Sequence, residues 1–390
     1  TSSIAQEIMG FDGGGELIVA DRPGAVTTAS RNATWHHVVS RSRSLVTFID
    51  LCGHEKYLKT TIFGLVGLCP DYAVIIVNAN AGFQRMSREH LGIALALRIP
   101  FMFVVTKIDI APANVYEENM TMLKNIVKSK AVRRQPILVN GEDDMAAASA
   151  GLISDQACPI FQVSNVTGEG LPLLRSFLWR IPSRLRQSGL FRPPSAPVEF
   201  HIDGVFNVNG VGLVVAGLMR AGTVRPNQQL LLGPDKSSQF KPVLVKTIHY
   251  KRVPTEIAES GQHCGFALRS LVKKETLKKT HFRKGMVLVG AELQPKATWE
   301  FRAEVIILHH ATTIKERYQA MIHCGIIRQC ASVKHMSCEL LRTGDKAIVT
   351  FRFMYHGEYL CADTPLLFRE GRTKGLGRVI ELLDESSPDG

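Results

Sequence analysis

The chain has 390 residues, of which 45% are hydrophobic, 21% charged and 7% aromatic. That composition builds two or three ordinary folded domains, and no low-complexity segment or solenoid repeat occurs along the chain. The net charge of +12 favours anionic partners, nucleic acid foremost; the plainer alternative is a cationic surface with no ligand.

The chain opens TSSIAQ, without Met, as a fragment or a processed product would. Residues 10–37 are rich in Gly and polar residues and read as a hairpin followed by a flexible loop. From about 44 to 180, short continuous apolar runs alternate with helical patterns. The runs SLVTFID (44–50), YAVIIVNA (72–79), PFMFVVTKID (100–109), QPILV (135–139) and CPIFQVS (158–164) suit strands buried on both faces of a parallel sheet. Helices are predicted over 54–68, 86–98, 114–130 and 171–182. This alternation predicts a doubly wound α/β domain over 1–185.

The Pro-, Ser- and Arg-rich stretch at 186–197 reads as a linker. Beyond it, short strands separated by Gly, Pro and Asn predict two antiparallel β-barrels, over 198–294 and 298–384, with a break near QPKA (294–297).

The eight cysteines, Cys52, Cys69, Cys158, Cys264, Cys324, Cys330, Cys338 and Cys361, form no CxxC pair, which removes zinc-finger spacing. Free, mostly buried thiols and the lack of a signal peptide point to the cytoplasm. The longest apolar region, 91–105, is interrupted by Arg98 and Pro100 and is too short to span a bilayer, so no membrane role is expected.

Three stretches carry chemistry, each at the carboxyl end of an expected strand, where open α/β sheets bind ligands. In Asp50-Leu51-Cys52-Gly53-His54, the carboxylate can hold Mg²⁺ through a water. The Gly53 backbone lets a phosphate approach closely, and the His54 imidazole can orient a water for attack. A DxxG is also a common turn after a strand. In Thr106-Lys107-Ile108-Asp109, the carboxylate can accept two N–H bonds from guanine, whereas adenine would leave it unpaired. The Lys107 stem can cover one face of the base. The competing reading is that Asp109 caps the next helix. In Ser164-Asn165-Val166, small polar groups and backbone amides can meet a purine carbonyl, or simply form a strand-to-loop turn.

Together, and in this order, these stretches resemble the nucleotide-binding motifs of the translation-factor GTPases. FIDLCGHEKY is similar to their second switch, VVTKID to their guanine-reading loop and QVSNVTGEGL to their last base-contacting loop. Residues 208–234 resemble the second-domain signature of elongation factor Tu, and 343–353 and 366–379 the closing strands of its third domain. DLCGHEKYLKTTIFGL, REHLGIALAL, VEFHIDGVF, LHHATTI and LLFREGRTKGLG bring the chain nearest the GTP-binding protein 1/2 group.

The resemblance implies an incomplete P-loop-type α/β GTPase domain followed by two β-barrels. It implies hydrolysis of GTP to GDP with Mg²⁺, in a monomer whose barrels contact the ribosome, tRNA or mRNA. Thr1 would be the switch threonine that senses Mg²⁺ and the terminal phosphate, with Ser3 the alternative register. There are departures. Thr106 stands where the family has Asn, and Asn165 where it has Ala. No G-x-x-x-x-G-K-[ST] occurs, so the resemblance implies that this loop and the first, central strand lie ahead of TSSI. The 390 residues alone are then expected to bind GTP weakly or not at all. The alternative is an RNA- or ribosome-binding adaptor without turnover.

Two further features invite function. Residues 241–284 carry eleven Lys and Arg side chains, Lys273, Lys274, Lys278 and Lys279 among them, against Glu256, Glu259 and Glu275; they suit RNA phosphates or merely solvated loops. The pairs His36-His37 and His309-His310 suggest metal, but neighbours on a strand point to opposite faces.

Overall fold

The computed structural model describes residues 3–18, 28–187, 191–272, 276–283, 285–310, 312–370 and 373–383. The chain begins with hairpin β1 (Ala5–Phe11) and β2 (Leu17–Ile18), then helix α1 (Thr28–Arg41) and β3 (Ser44–Asp50). A short 3-10 turn, Glu55–Tyr57, leads into α2 (Leu58–Gly67). After it come β4 (Ala73–Asn78), α3 (Arg85–Ala96), β5 (Phe101–Thr106) and α4 (Ala113–Lys128). Next are β6 (Gln135–Leu138), α5 (Glu142–Ile153), β7 (Ala157–Val163), α6 (Leu171–Arg180) and α7 (Arg184–Gln187).

Strands β4, β5, β7 and β6 form a parallel sheet in that order. The middle strand, β5, shows why its sequence is continuously apolar. Phe101, Phe103 and Val105 pack on one face with Met120, Leu123 and Val127 of α4. Met102 and Val104 pack on the other with Met145 and Leu152 of α5 and Phe177 of α6. The register sets Thr106 opposite both Asn78 and Val163, so β4, β5 and β7 end side by side.

Strand β3 lies outside this sheet. It pairs antiparallel with β1, with Ala5 opposite Asp50; among the described residues its other edge and the outer edge of β4 are both unpaired. On β4, Val74 and Ile76 are 39% and 57% exposed, whereas their β5 partners Met102 and Val104 are buried. Among the described residues, no strand lies between β3 and β4.

Three local expectations change. The span 28–37 is helical, as the first part of α1, so His36 and His37 lie on a helix rather than a strand; residues 19–27 of the expected loop fall outside the described residues. Helix α5 replaces an unassigned stretch, its first turn carrying Glu142, Asp143 and Asp144, which favour a helix N-terminus. Strand β5 stops at Thr106 because Lys107 turns to φ +62°, a conformation no strand continues through, so Asp109 sits in the following loop.

By chain contacts, residues 1–65 with 69–188 form one unit and residues 66–68 with 189–390 a second. The second unit holds both barrels. In the first barrel, Gln229–Gly233, at one end of a seven-stranded antiparallel sheet, pairs with Val287–Val289 and also with the penultimate strand at the other end, Lys241–Tyr250, which closes the sheet. The second is a closed barrel of six strands between Glu300 and Leu383. Val287, Val289 and Ile326 form an apolar seam with Leu231, Phe240, Leu293 and Tyr359. No helix among the described residues is long and apolar enough to cross a membrane.

Candidate functional site

The parallel register brings two of the three motif stretches to one sheet end. Thr106 closes β5 and Val163 closes β7 directly opposite it, so Lys107–Asp109 and Ser164–Asn165 leave from the same place. Lys107 and Asp109 are exposed. Helix α4 begins at Ala113 with Pro112 in the N-cap position and no side-chain capping bond. Asp109 therefore does not cap the helix, and its carboxylate has no ion-pair or hydrogen-bond partner among the described residues. Helix geometry thus removes the simplest structural use for that carboxylate.

Ser164 is fully buried. Its Oγ accepts hydrogen bonds from the Val166 and Thr167 backbone N–H groups at 3.2 and 3.1 Å. The hydroxyl is committed to shaping its own loop, while Asn165 stays exposed. Gly170 closes that loop at φ +72°; a Cβ there would stand 1.9 Å from the Gln162 carbonyl oxygen. The Thr106 hydroxyl donates to the Val77 carbonyl at 3.4 Å, so it turns toward β4.

The Asp50–His54 stretch follows β3. Asp50 is exposed and its carboxylate has no partner among the described residues. The next turn is fastened from below: buried Thr61 on α2 donates to the Cys52 carbonyl at 2.6 Å, and the Cys52 thiol lies 3.7 Å from the Ser3 carbonyl. Ser3 thus sits against this turn; Thr1 lies outside the described residues. Gly53 has no left-handed φ, and a Cβ there would meet nothing within 4 Å. Neither backbone nor packing requires a glycine at 53. His54 caps the 3-10 turn, its Nδ1 accepting from the Lys56 N–H at 3.1 Å, which places the ring proton on Nε2. Phe48 packs into the cluster that holds Val104 and Val163 of the parallel sheet.

A lone exposed carboxylate such as Asp50 fits Mg²⁺ held largely by phosphate and water oxygens. Among the described residues, no three His, Cys, Asp or Glu side chains converge as a metal cage. His310 is occupied otherwise, its backbone N–H donating to Thr343 Oγ1 at 2.9 Å and its ring facing Tyr318. All eight cysteines are free thiols.

The basic segment is less uniformly exposed than its sequence implies. Lys273, Lys274 and Lys284 lie outside the described residues, and Lys278 and Lys279 are exposed. Lys251, however, is 8% exposed, and burial pushes its ammonium pKa down to about 8. Arg283 turns inward onto Glu358. A charge count treats every Lys and Arg as solvated; the turn at Lys251 and the loop at Arg283 bury theirs.

Residues 20–184 match the family described as the elongation factor Tu GTP binding domain. The chain is 46% identical over 387 residues to GTP-binding protein 1 of Xenopus laevis, covering 99% of this chain and 57% of that protein. It is 39% identical over 384 residues to GTP-binding protein 2 of Homo sapiens, covering 98% and 61%. It therefore spans about three-fifths of these relatives' length. Elongation factor 1-alpha of Methanocaldococcus jannaschii is 25% identical over 331 residues, covering 79% of this chain and 70% of that one. In fold, the chain is similar to translation elongation factor SelB from Methanococcus maripaludis in complex with the GTP analogue GppNHp. The TM-score is 0.67 at 17% identity, covering 87% of this chain and 72% of that one.

Proposed function

Because this chain belongs to the translation-factor GTPase superfamily, where it is similar to GTP-binding proteins 1 and 2, we propose that it carries the base-reading and water-positioning parts of a GTP hydrolase acting in translation or RNA surveillance. The observation that carries this reading is Asp109. It is an exposed carboxylate, unused by helix α4, at the sheet end shared with Ser164 and Asn165. Two N–H groups of guanine would satisfy it.

In this reading Lys107 covers one face of the base, and the backbone amide of exposed Asn165 meets its carbonyl, the Val166 and Thr167 amides being held by Ser164. Thr106 and Ser164 act indirectly, since their hydroxyls already hold Val77 and the loop backbone. The Gly53 amide meets the terminal phosphate; a glycine there that neither φ nor packing requires supports a close approach. His54, with Nδ1 accepting from Lys56, would donate its Nε2–H to the attacking water's oxygen and so orient it. Asp50, with Thr1, would hold Mg²⁺, whose charge offsets that of the phosphates. No G-x-x-x-x-G-K-[ST] occurs in these residues, so this reading assigns them the base-reading and water-positioning roles and not the grip on the phosphates.

The barrels would contact the ribosome, tRNA or mRNA, which the net charge of +12 supports. GTP turnover by the full-length protein tests the hydrolase reading. His54→Ala should lower the rate by about 10²-fold or more with GTP affinity retained. Equal rates would remove His54 from the mechanism. The second reading is an adaptor that binds RNA without turnover, for which the net charge of +12 would serve. It predicts ribosome or RNA binding indifferent to nucleotide.

A further inference from the structure

The loop that carries Asp109 has little of its own to hold it. Lys107 adopts φ +62°, costly for a residue with a side chain, and the only backbone bond across the turn among the described residues, Ile110 N–H to the Lys107 carbonyl, is long at 3.4 Å. The neighbouring loop at 164–170 is built differently, closed on itself by Ser164 and Gly170. For a carboxylate on one loop and amides on the other to read one base, their separation must be fixed to within a few tenths of an ångström.

Helix α4, which follows the Asp109 loop, reaches both flanking strand ends from its first two turns. Asn119 donates through Nδ2 to the Ala79 carbonyl at 2.9 Å, just past β4. Tyr116 donates its hydroxyl to Gln162 Oε1, one residue before the end of β7. Gln162 in turn donates through Nε2 to Asn140 Oδ1 at 3.3 Å, and the Asn140 backbone N–H donates to Asp144 of α5 at 2.9 Å. The Tyr116 ring packs against the core beneath the sheet. Burial, and the nearby charge of Glu169, push its phenol pKa up, which keeps the hydroxyl a donor. Residues three apart on a helix share a face, so Tyr116 and Asn119 act as two arms on either side of β5.

We propose that Tyr116 and Gln162 are positioning residues for base reading, their hydrogen bond fixing the Asp109 loop and the 164–170 loop at one spacing. This rests on the assignment of those loops to guanine. The pair touches no base; it sets where the groups that do can stand. The resemblance gives neither residue a role: Tyr116 lies outside VVTKID, and Gln162 only opens QVSNVTGEGL, ahead of Ser164 and Asn165.

Two measurements test it. First, hydrogen exchange on nucleotide-free protein: Tyr116→Phe should speed exchange in residues 107–111 and 164–170 together, leaving α5 unchanged. Unchanged exchange in either loop overturns the proposal whether or not nucleotide binds. Second, affinity of the full-length protein for fluorescent GDP and IDP. Hypoxanthine lacks the exocyclic amine, so loss of loop spacing should weaken GDP about tenfold and IDP much less, narrowing their ratio. Gln162→Leu should behave like Tyr116→Phe, and Gln162→Glu, which still accepts from the phenol, should restore most of the ratio. Equal losses for GDP and IDP would mean a general structural role and overturn the proposal. A wild type that binds neither nucleotide would instead defeat the guanine assignment, leaving the exchange experiment to judge the latch.

Discussion

The Arg283 guanidinium meets the Glu358 carboxylate at 2.5 Å, with the two side chains 11% and 1% exposed. Arg283 also donates to the Gly357 carbonyl at 2.8 Å, and Gln329 Nε2 donates to Glu358 at 2.7 Å. The pair joins the two barrels beside their apolar seam. Removing one member strands a buried charge, so Glu358→Ala should cost about 3–5 kcal/mol. Replacing both, as Arg283→Met with Glu358→Leu, should recover much of that. Calorimetry of the full chain checks it; a Glu358→Ala melting temperature equal to wild type would show that the pair contributes nothing.

Two glycines should separate cleanly. Gly170→Ala places a methyl 1.9 Å from a backbone carbonyl at a left-handed φ and should destabilise by about 2–4 kcal/mol. Gly53→Ala meets empty space and should leave urea stability within about 0.5 kcal/mol, while abolishing any GTP-dependent change in the full-length protein. If Gly53→Ala retains that change, the close phosphate approach is wrong.

Lys251 predicts a pH dependence. Its folded pKa, pushed down to about 8 by burial, lies below the ordinary 10.5, so the unfolded chain binds the proton more tightly. The penalty is fully present below pH 8. It is relieved as pH rises toward 10.5, by up to about 3 kcal/mol. Lys251→Met should therefore exceed wild type in stability at pH 7, with the gap closing near pH 10. A gap that stays constant between those pH values would show that the ammonium is better solvated than its burial indicates.

Asp109→Asn exchanges one acceptor for a donor. Guanine affinity should fall by about 100-fold or more, and xanthine, which presents a carbonyl where guanine has its amine, should bind better than to wild type. Competition of GDP and XDP for the full-length protein gives the answer; an unchanged preference would place base recognition elsewhere.

The sequence made β5 and β7 legible because doubly buried strands have no polar face; β3, β4 and β6 were found by the same apolar runs, but β3 left the parallel sheet to pair with β1, and β4 and β6 are only partly covered. Helix α1 was hidden because its polar first half shows no apolar stripe; α5 was hidden by its small alanines, although Glu142, Asp143 and Asp144 marked its start. The meeting of TKID with SNV follows from parallel alternation alone. Arg283 with Glu358 and Tyr116 with Gln162 could not be read, since each pair is far apart in the chain and is brought together by the packing of a loop or a helix on distant segments.

The bare edge of β4 bears on handling as well as on chemistry. Its backbone N–H and C=O groups point outward beside uncovered Val74 and Ile76, the arrangement by which strands recruit strands from other molecules. These 390 residues should grow turbid with rising concentration, in a β-rich form that binds thioflavin. A single Ile76→Lys gatekeeper should keep them clear.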